Sequence, residues 1–596
     1  MSSERPSVRA AVVLAVLVPS LAVSPAPPVL AVEPSAVVEP DRPAPFPVRG
    51  PLVAEPRDGG IVALGRTRYL GRLELRREGS GVRPILELDL EDYLLGIAEM
   101  PASWHEEALR AQAVAARTYA WRSILRQRFD GYDICATVAC QVFRGAEVVA
   151  DGGVGERWAS AVADTAGEVL LDARGEPILA RYFSTSGGRT YANDVVFPSS
   201  GAFPYLVGIE DPDDAVSPYH RWTVRFTRAE FDAISGRGDN LGRVTPVASA
   251  ERLGDIDDPR APIRFTGTNG RTVVVSAIAL RDFLSTYAPM ASPERFPGPT
   301  DDGSRRLPST VPTTRYAIEV TSDEVVLRGR GWGHGVGLGQ YGARGRAERG
   351  QTYREILAAY YAGLEPVVDE RLPATVRVGL GRFDEVRVLR AEVPMRLVAD
   401  GEEVVAATLG TWLVAPDGDG FVLEAPPGEG ALLSVTPTRV VQGGERLPGR
   451  AVVLEVSVSK PVRLALEVVD ARGRSVVVEP LGLAEAGIHT ATWRRRDAAG
   501  QPVAPGAYAV RLVGEDALGA TDGTATRVVV TERPPPPVPP VGADGAADAV
   551  GRPLVLVGAL ATLVALAFLA SGRRRARGPM GGEDGAVDAG DAGPSS

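Results

Sequence analysis

The chain has 596 residues, a length that predicts several domains rather than one. Its hydrophobic fraction of 44% is ordinary for a globular protein, and its formal net charge of -10 gives no reason to expect a nucleic-acid partner.

The two ends of the sequence carry signals for export and for membrane insertion. Residues 1–32 combine Arg5 and Arg9 with an apolar run and then small residues, which is typical of a secretory signal peptide. Residues 553–572 contain an uncharged apolar run long enough to cross a bilayer, and arginines follow it directly. We therefore predict a cell-membrane protein of single-pass type I, with its ectodomain outside, a Pro-rich stalk at 533–552 and a cytoplasmic tail at 573–596.

A long helix is predicted after a short β layer. Residues 60–90 read as short strands separated by Gly turns. Pro101 disfavours helix at Met100, Ser103 can cap the helix that follows, and Glu106 completes a capping box. One face of this helix has helical spacing and mostly small residues, with Arg117 at its edge: Leu109, Gln112, Ala113, Ala116, Ala120 and Ile124.

Glu99 is the candidate catalytic residue of this region. It is a single acid between the apolar run 94–98 and Met100. Apolar surroundings disfavour a carboxylate, so such a carboxyl can stay protonated near neutral pH and act as a general acid. The alternative is a solvated acid ahead of a helix, and the segment alone leaves both interpretations open.

Cys135 and Cys140 are the two cysteines of the chain. In an exported protein this spacing favours a disulfide that closes a tight loop. A structural zinc site needs four ligands, and the distant His105, His220 and His334 would have to supply the rest. We therefore predict a disulfide, no metal and no cofactor.

The middle of the chain predicts helices at 156–173 (passing into a strand), 227–235 and 277–287. A glycine recurs at almost every second position of 329–345, which indicates sharp bends or close backbone approach. This loop presents Trp332, His334, Gln340 and Tyr341, and Thr352 with Glu355 caps the next helix. Residues 337–342 fit the dinucleotide pattern G-x-G-x-x-G, but no acidic residue follows at the required distance, so we reject that interpretation.

The last third of the predicted ectodomain is β-rich. Residues 371–433 indicate a small β module. Residues 436–532 indicate a β-sandwich, because Val462, Leu464, Leu466 and Val468 alternate with polar residues between regularly spaced turns.

Two long segments resemble the SpoIID/LytB family of bacterial cell-wall proteins. The first match comprises Tyr93, Leu94, Gly96, Glu99, Met100, Pro101, Ala108, Leu109, Ala111, Gln112, Ala113, Ala115, Ala116, Arg117, Thr118 and Tyr119, and the second is the Gly-rich segment 329–363. Residues 436–532 resemble the Ig-like module of the flagellar hook-capping protein FlgD. The resemblance implies an α+β fold class, with a SpoIID-like mixed domain at 50–368 followed by the β modules.

The same resemblance implies lytic transglycosylation of peptidoglycan glycan strands. Glu99 would protonate the bridging oxygen, and the sugar would supply the attacking hydroxyl, so one carboxylate suffices. Arg117, Tyr219 and Arg221 would position the glycan. Further contacts would come from Ser184 and Ser186 in the segment YFSTSGG, whose alternative is a polar turn, and from Trp332, His334 and Gln340.

A second function class remains open at this point. The family also includes an enhancer of a cell-wall amidase, so the chain could bind glycan without cutting it and act through an amidase partner. A third class, a structural anchor that uses only the β modules, leaves the Gly-rich loop unexplained.

Overall fold

The computed structural model describes residues 41–150, 154–385, 387–442 and 451–530. The predicted signal peptide, stalk, membrane span at 553–572 and cytoplasmic tail lie outside these residues. Within the described ranges, no helix is both long enough and apolar enough to span a bilayer.

The strands are numbered in chain order. They are β1 Phe46–Val48, β2 Leu52–Pro56, β3 Ile61–Leu64, β4 Thr67–Leu70, β5 Arg72–Glu78, β6 Gly81–Asp89, β7 Ile134–Cys135, β8 Glu168–Val169, β9 Tyr182–Phe183, β10 Trp222–Thr227, β11 Val247–Arg252, β12 Ile263–Gly267, β13 Thr272–Val275, β14 Tyr316–Val320, β15 Glu324–Gly329, β16 Leu338–Gly339, β17 Val367–Val368, β18 Thr375–Gly379, β19 Arg387–Ala399, β20 Glu402–Asp417, β21 Gly420–Glu424, β22 Val435–Gln442, β23 Val452–Val458, β24 Val462–Asp470, β25 Ser475–Ala484, β26 Gly487–Trp493, β27 Gly506–Glu515 and β28 Thr521–Val530.

The helices are fewer. They are α1 Leu90–Leu95, α2 Glu106–Arg126, α3 Glu147–Ala150, α4 Val154–Asp164, α5 Asn193–Val196, α6 Arg228–Ser235, α7 Asp239–Gly242, α8 Ala277–Ala291, α9 Gln340–Glu348 and α10 Tyr353–Tyr360, with 3-10 turns at Arg57–Gly59, Pro198–Ser200 and Pro212–Val216. Of the residues described, 40% are in strands and 21% in helices, so this part of the chain is mostly β and the α+β prediction is wrong. The long strands of the C-terminal third, which reach 16 residues in β20, account for this excess of strand over helix.

One large sheet joins strands from residues 46–89 with strands from residues 375–424. Its strand order is β1-β21-β20-β19-β2-β5-β6-β18-β7, and β3 and β4 attach beside β19. The strands that we predicted as a small β module at 371–433 therefore pair with strands from the start of the chain: β18 runs antiparallel to β6, and β19 antiparallel to β2. Alternation within single strands does not reveal such long-range partners, because register depends on the partner strand.

Helix α2 lies at the centre of the core. Its alanines at 108, 111, 113, 115, 116 and 120 are all fully buried, which lets neighbouring backbones approach closely. The helix begins at Glu106 rather than after Ser103, because residues 101–104 form a turn in which Trp104 N–H donates to the Pro101 carbonyl over 3.0 Å. The N-cap is His105, whose Nδ1 accepts from Glu107 N–H at 3.3 Å.

The glycines of α9 explain how this helix packs. Gly339, Gly342 and Gly345 recur at a spacing of three and so share one face. A Cβ at Gly342 would overlap the Tyr360 hydroxyl and the Asp211 carboxylate. This face must therefore lack side chains, because α9 packs there against the acidic turn Pro212–Val216 and against α10.

The C-terminal module is a sandwich of two sheets, β22-β23-β26 and β25-β24-β27-β28. The predicted alternation in β24 is correct, since Val462, Leu464, Leu466 and Val468 are all buried. They face a separate core that includes Trp493 and Val510.

Candidate functional site

Glu99 lies in the turn that connects α1 to α2, and it is largely buried. Its Oε1 accepts two hydrogen bonds, one from the backbone N–H of Val142 at 2.7 Å and one from the hydroxyl of Tyr182 at 3.2 Å. Burial raises the pKa of Glu99 above its ordinary value, and these two bonds oppose the shift without cancelling it. The side chain thus has the property expected of a general acid.

A chain of buried hydrogen bonds ends at the carboxyl of Glu99. Tyr93 donates to Oε1 of Gln141 at 2.9 Å, and Nε2 of Gln141 donates to the Tyr182 hydroxyl at 2.9 Å and to the Ala116 carbonyl at 3.3 Å. Because a carbonyl can only accept, the Ala116 bond fixes which end of the Gln141 amide is the donor. The Tyr182 hydroxyl therefore accepts from Gln141 and has its own proton free for Glu99.

The disulfide loop positions two of the residues in this hydrogen-bond network, Gln141 and Val142. Cys135 and Cys140 form the disulfide that the sequence suggested, with their Cα atoms 5.4 Å apart. Cys135 lies at the end of β7, which is fixed to the large sheet through β18. Gln141 and Val142 follow Cys140 directly, so the closed loop determines where the Gln141 amide and the Val142 N–H can lie.

Arg117 has different surroundings from those that we predicted. It is fully buried, with 0% of its side chain exposed. Its five N–H groups are taken by both carboxylate oxygens of Glu91 at 2.7 Å, the Thr165 hydroxyl and the carbonyls of Val162 and Glu168. No donor remains for a glycan, so Arg117 joins α2 to α1 and α4 instead of positioning substrate.

The segment YFSTSGG leaves β9 and forms a turn, and hydrogen bonds to Asp214 hold this turn in place. The buried carboxylate of Asp214 accepts from the backbone N–H groups of Ser186 and Gly187, each at 2.8 Å, and from His220 at 2.8 Å. Ser186 is 2% exposed and its hydroxyl accepts from Gly188 N–H, which places it out of reach of a ligand. Ser184 is partly exposed, and its backbone carbonyl accepts from Tyr341 N–H at 3.0 Å.

The Gly-rich loop lies beside the same turn. Gly331, Gly333, Gly335 and Gly337 all have φ between 79° and 102°, a conformation that other residues rarely adopt. This alternation carries the loop past the segment YFSTSGG, where β16 pairs with β9 and Trp332 pairs with Thr185.

His334 and Gln340 are held by protein groups. The His334 ring lies between Phe183 and Phe197, and its Nδ1 accepts from Val336 N–H at 3.1 Å. Burial, followed by the nearby charge of Arg181, lowers the pKa of His334 to about 3, so the ring is neutral. Gln340 is buried and donates to Gln112 of α2 at 3.2 Å.

Four aromatic rings form a row near the turn. Trp332 contacts Tyr219 with ring centroids 5.0 Å apart, Tyr219 contacts Tyr341 at 6.0 Å, and Tyr341 contacts Trp104 at 4.6 Å. Tyr219, Tyr341 and Trp104 are mostly buried, whereas Trp332 is partly exposed and can offer a ring to a sugar. Arg221 is exposed and directly precedes β10.

The structure brings together some predicted residues and adds others. Glu99 bonds to Tyr182, two residues before Ser184, and Trp332 contacts Thr185 and Tyr219. Tyr182 and Gln141 at Glu99, and Trp104 in the aromatic row, are residues that sequence reasoning missed. Tyr182 begins the segment YFSTSGG, so its neighbourhood was a usable signal. Gln141 carries no signal except its position after Cys140.

Two known protein families match separate parts of the chain. A family described as stage II sporulation protein matches residues 78–171, and one described as FlgD Ig-like domain matches residues 447–517. The first segment contains Glu99, Arg117, both cysteines and Gln141. The second lies in the C-terminal sandwich.

Individual relatives extend the first match. The chain is 31% identical over 297 residues to the amidase enhancer of Bacillus subtilis, covering 44% of this chain and 38% of that protein. It is 30% identical over 290 residues to stage II sporulation protein D of the same organism, covering 47% of this chain and 74% of that protein. An uncharacterized protein of Brachyspira hyodysenteriae is 31% identical over 324 residues, covering 53% and 76%. The chain thus spans less than half of the amidase enhancer and about three quarters of the other two.

Solved structures show only partial likeness. FlgD of P. aeruginosa is 20% identical, with 16% of this chain and 77% of that chain covered and a TM-score of 0.13. Latent PorU of Porphyromonas gingivalis is 13% identical, with 27% and 13% covered and a TM-score of 0.15. Scores this low carry no argument about the fold.

Proposed function

Since the chain belongs to the family of stage II sporulation protein D, we propose that it works at the cell wall and cleaves the glycan strands of peptidoglycan as a lytic transglycosylase. The observation that carries this proposal is the state of Glu99. It is a largely buried carboxyl with a raised pKa, and both of its protein hydrogen bonds fall on one oxygen.

The carboxyl would act as the general acid. Oε1 is occupied by the donors of Val142 and Tyr182, so the acidic proton resides on Oε2. That proton passes to the oxygen between N-acetylmuramic acid and N-acetylglucosamine as the bond to C1 breaks. The resulting carboxylate then takes the proton of the muramic 6-hydroxyl, whose oxygen closes on C1 to give a 1,6-anhydro end.

The surrounding residues would hold the glycan. Trp332 offers a partly exposed ring for stacking, Ser184 a hydroxyl, and Arg221 an exposed guanidinium. Tyr219 supports Trp332 through ring contact at 5.0 Å. Arg117, Ser186 and Gln340 are buried behind this surface and stabilise the elements that form it.

Incubation of the purified full chain with isolated glycan strands tests the proposal. We expect products with 1,6-anhydro muramic ends, whose mass is lower than that of hydrolysis products by one water. The Glu99→Gln variant should bind the strands and leave them uncut. Cleavage that gives reducing ends, or cleavage that survives Glu99→Gln, would contradict the assignment.

A second function is favoured by the likeness to the amidase enhancer. In that case the same surface would bind glycan and present it to a separate cell-wall amidase. No cutting by the chain alone, together with stimulation of an added amidase by both wild type and Glu99→Gln, would establish this alternative.

A further inference from the structure

Arg181 is a partly buried guanidinium without an acidic partner. It directly precedes Tyr182, and its backbone carbonyl is fixed by the N–H of Leu338 at 3.1 Å and the hydroxyl of Tyr361 at 2.9 Å. Its guanidinium carbon lies 3.9 Å from the centroid of the Phe197 ring. Nε is buried and has no hydrogen-bond partner, and within the described part of the chain no aspartate or glutamate pairs with the side chain.

The charges around Arg181 have the same sign. Arg126 in the last turn of α2 and Arg128 just beyond it are exposed, and neither has a carboxylate partner among the residues described. Burial, and also repulsion from these two guanidinium groups, lowers the pKa of Arg181. Asp172, which acts on the neighbouring Tyr205, is already bound to the Arg174 guanidinium at 3.0 Å.

An arrangement of this kind is costly unless something compensates for it. The buried Nε of Arg181 has neither a counter-charge nor a hydrogen bond within the described protein, and a buried polar atom in that state costs free energy. The fully buried Arg315, by contrast, pairs with Asp257. A guanidinium left without a partner is well suited to a planar anion, because its N–H groups match the two oxygens of a carboxylate.

The position of Arg181 connects it to the glycan surface. Tyr182, the next residue, donates to Glu99, and the ring of Tyr119 lies 6.3 Å from the ring of Tyr182. On its other side, Arg181 acts on His334 of the Gly-rich loop, which packs against the same Phe197 ring. Tyr119 thus lies near both Arg181 and Tyr182, whose hydroxyl bonds to Glu99, and this links Arg181 to the surroundings of the candidate general acid.

We propose that Arg181, assisted by Arg126 and Arg128, forms a binding site for a carboxylate carried by the glycan substrate. This inference rests on the proposed function and adds a substrate class to it: acidic strands bind more tightly than neutral ones. Two carboxylates have the required chemistry, the lactyl group of muramic acid in strands without stem peptides, and the free carboxylates of stem peptides.

Binding measurements on the full chain distinguish these cases. Glu99→Gln serves as the background so that strands stay intact, and four ligands are compared: strands without stem peptides, strands with them, strands whose carboxylates are converted to neutral amides, and chitin oligosaccharides. We expect acidic strands to bind about tenfold or more tightly than neutral ones, with the preference falling as salt rises. If strands without peptides show the full preference, the lactyl group is the ligand; if only peptide-bearing strands show it, the stem peptide is.

Substitutions then assign the preference to Arg181. Arg181→Met keeps the stem length and should bring acidic and neutral strands to similar affinities, while Arg181→Lys should restore part of the difference. Arg237→Met is the matched control, since Arg237 is exposed and carries no ion pair among the described residues. Equal binding of acidic and neutral strands by the Glu99→Gln background, a result that does not depend on whether the Arg181 variants fold, would overturn the inference and leave the proposed function intact. Failure to bind any strand would overturn both.

Discussion

The side-chain amide of Gln141 donates to the hydroxyl of Tyr182 over 2.9 Å, and this bond directs the Tyr182 proton to Glu99. The hydroxyl accepts from Gln141, so it can donate only to Oε1 of Glu99, at 3.2 Å. Val142 N–H occupies the same oxygen. One carboxyl oxygen of Glu99 is therefore reserved for protein donors, and the other is left to carry the transferable proton.

The first prediction concerns the Tyr182 hydroxyl. A general acid must be protonated, so cleavage should fall as pH rises through the raised pKa of Glu99. Tyr182→Phe removes a bond that stabilises the carboxylate, which should raise that pKa further and move the alkaline limb of the pH-rate profile upward by up to about one pH unit. The control is Tyr508→Phe, which removes a hydroxyl bonded to Ala504 in the C-terminal module. An alkaline limb that stays in place, or moves down, would show that Tyr182 does not act on Glu99.

The second prediction concerns Arg117. Replacing it with Met removes the partner of Glu91 and the bonds that Arg117 donates to the buried carbonyls of Val162 and Glu168. We expect a loss of roughly 3 kcal/mol or more in the free energy of unfolding, measured by urea denaturation. Glycan affinity of the folded fraction should stay near that of the wild type. A stable variant with weakened binding would restore the substrate-positioning role that the sequence suggested.

The difference between prediction and structure at Arg117 has a physical cause. Helical spacing placed Arg117 at the edge of a face of small residues, and that much is correct. The spacing does not reveal that Glu91, 26 positions earlier, lies against that edge. Whether a guanidinium faces solvent or a buried carboxylate depends on tertiary packing, which a local pattern does not contain.

Local signals succeeded in some places and failed in one. The predicted capping box of Thr352 with Glu355 is formed, and the helix predicted at 227–235 begins at Arg228, whereas the cap of α2 is His105 and not the predicted Ser103. Glu99 stood out because an isolated acid in an apolar run is a feature of sequence alone. Gln141 did not, because its importance comes from bonds to Tyr93, Ala116 and Tyr182, which are far from it in sequence.

The third prediction concerns the disulfide. Its loss should free the segment that carries Gln141 and Val142 without breaking the large sheet. We expect Cys135→Ser with Cys140→Ser to slow cleavage by roughly tenfold or more, because a general acid depends on its position. Near-UV circular dichroism should confirm that the rest of the fold is kept. Mass analysis of the untreated protein under non-reducing conditions should show the two cysteines linked, and two free thiols in that sample would contradict the structure.

The fourth prediction concerns the exposed end of the aromatic row. Trp332→Ala removes a partly exposed ring without opening the core, so we expect glycan affinity to fall by roughly tenfold, as for the loss of a stacking contact of 1 to 2 kcal/mol. Val138→Ala is a control for an exposed apolar side chain, since Val138 is 90% exposed at the tip of the disulfide loop. Unchanged affinity for Trp332→Ala would place the sugar elsewhere along the turn.

The last prediction measures the protonation of Glu99 without any substrate. Burial raises the pKa of Glu99 in the folded protein above its ordinary value of 4.5, so the folded state holds this proton more tightly than the unfolded state does. The stability that the protonated carboxyl contributes is fully present below pH 4.5 and is lost as pH rises through the folded-state pKa.

Glutamine resembles the protonated acid, since its oxygen can accept from Val142 and Tyr182 while its nitrogen takes the place of Oε2. Relative to the wild type, Glu99→Gln should therefore gain stability with rising pH, by about 1.4 kcal/mol for each pH unit between the two pKa values. Urea denaturation of both proteins over that range measures the difference, and a constant difference would mean that Glu99 is an ordinary ionised carboxylate in the folded protein.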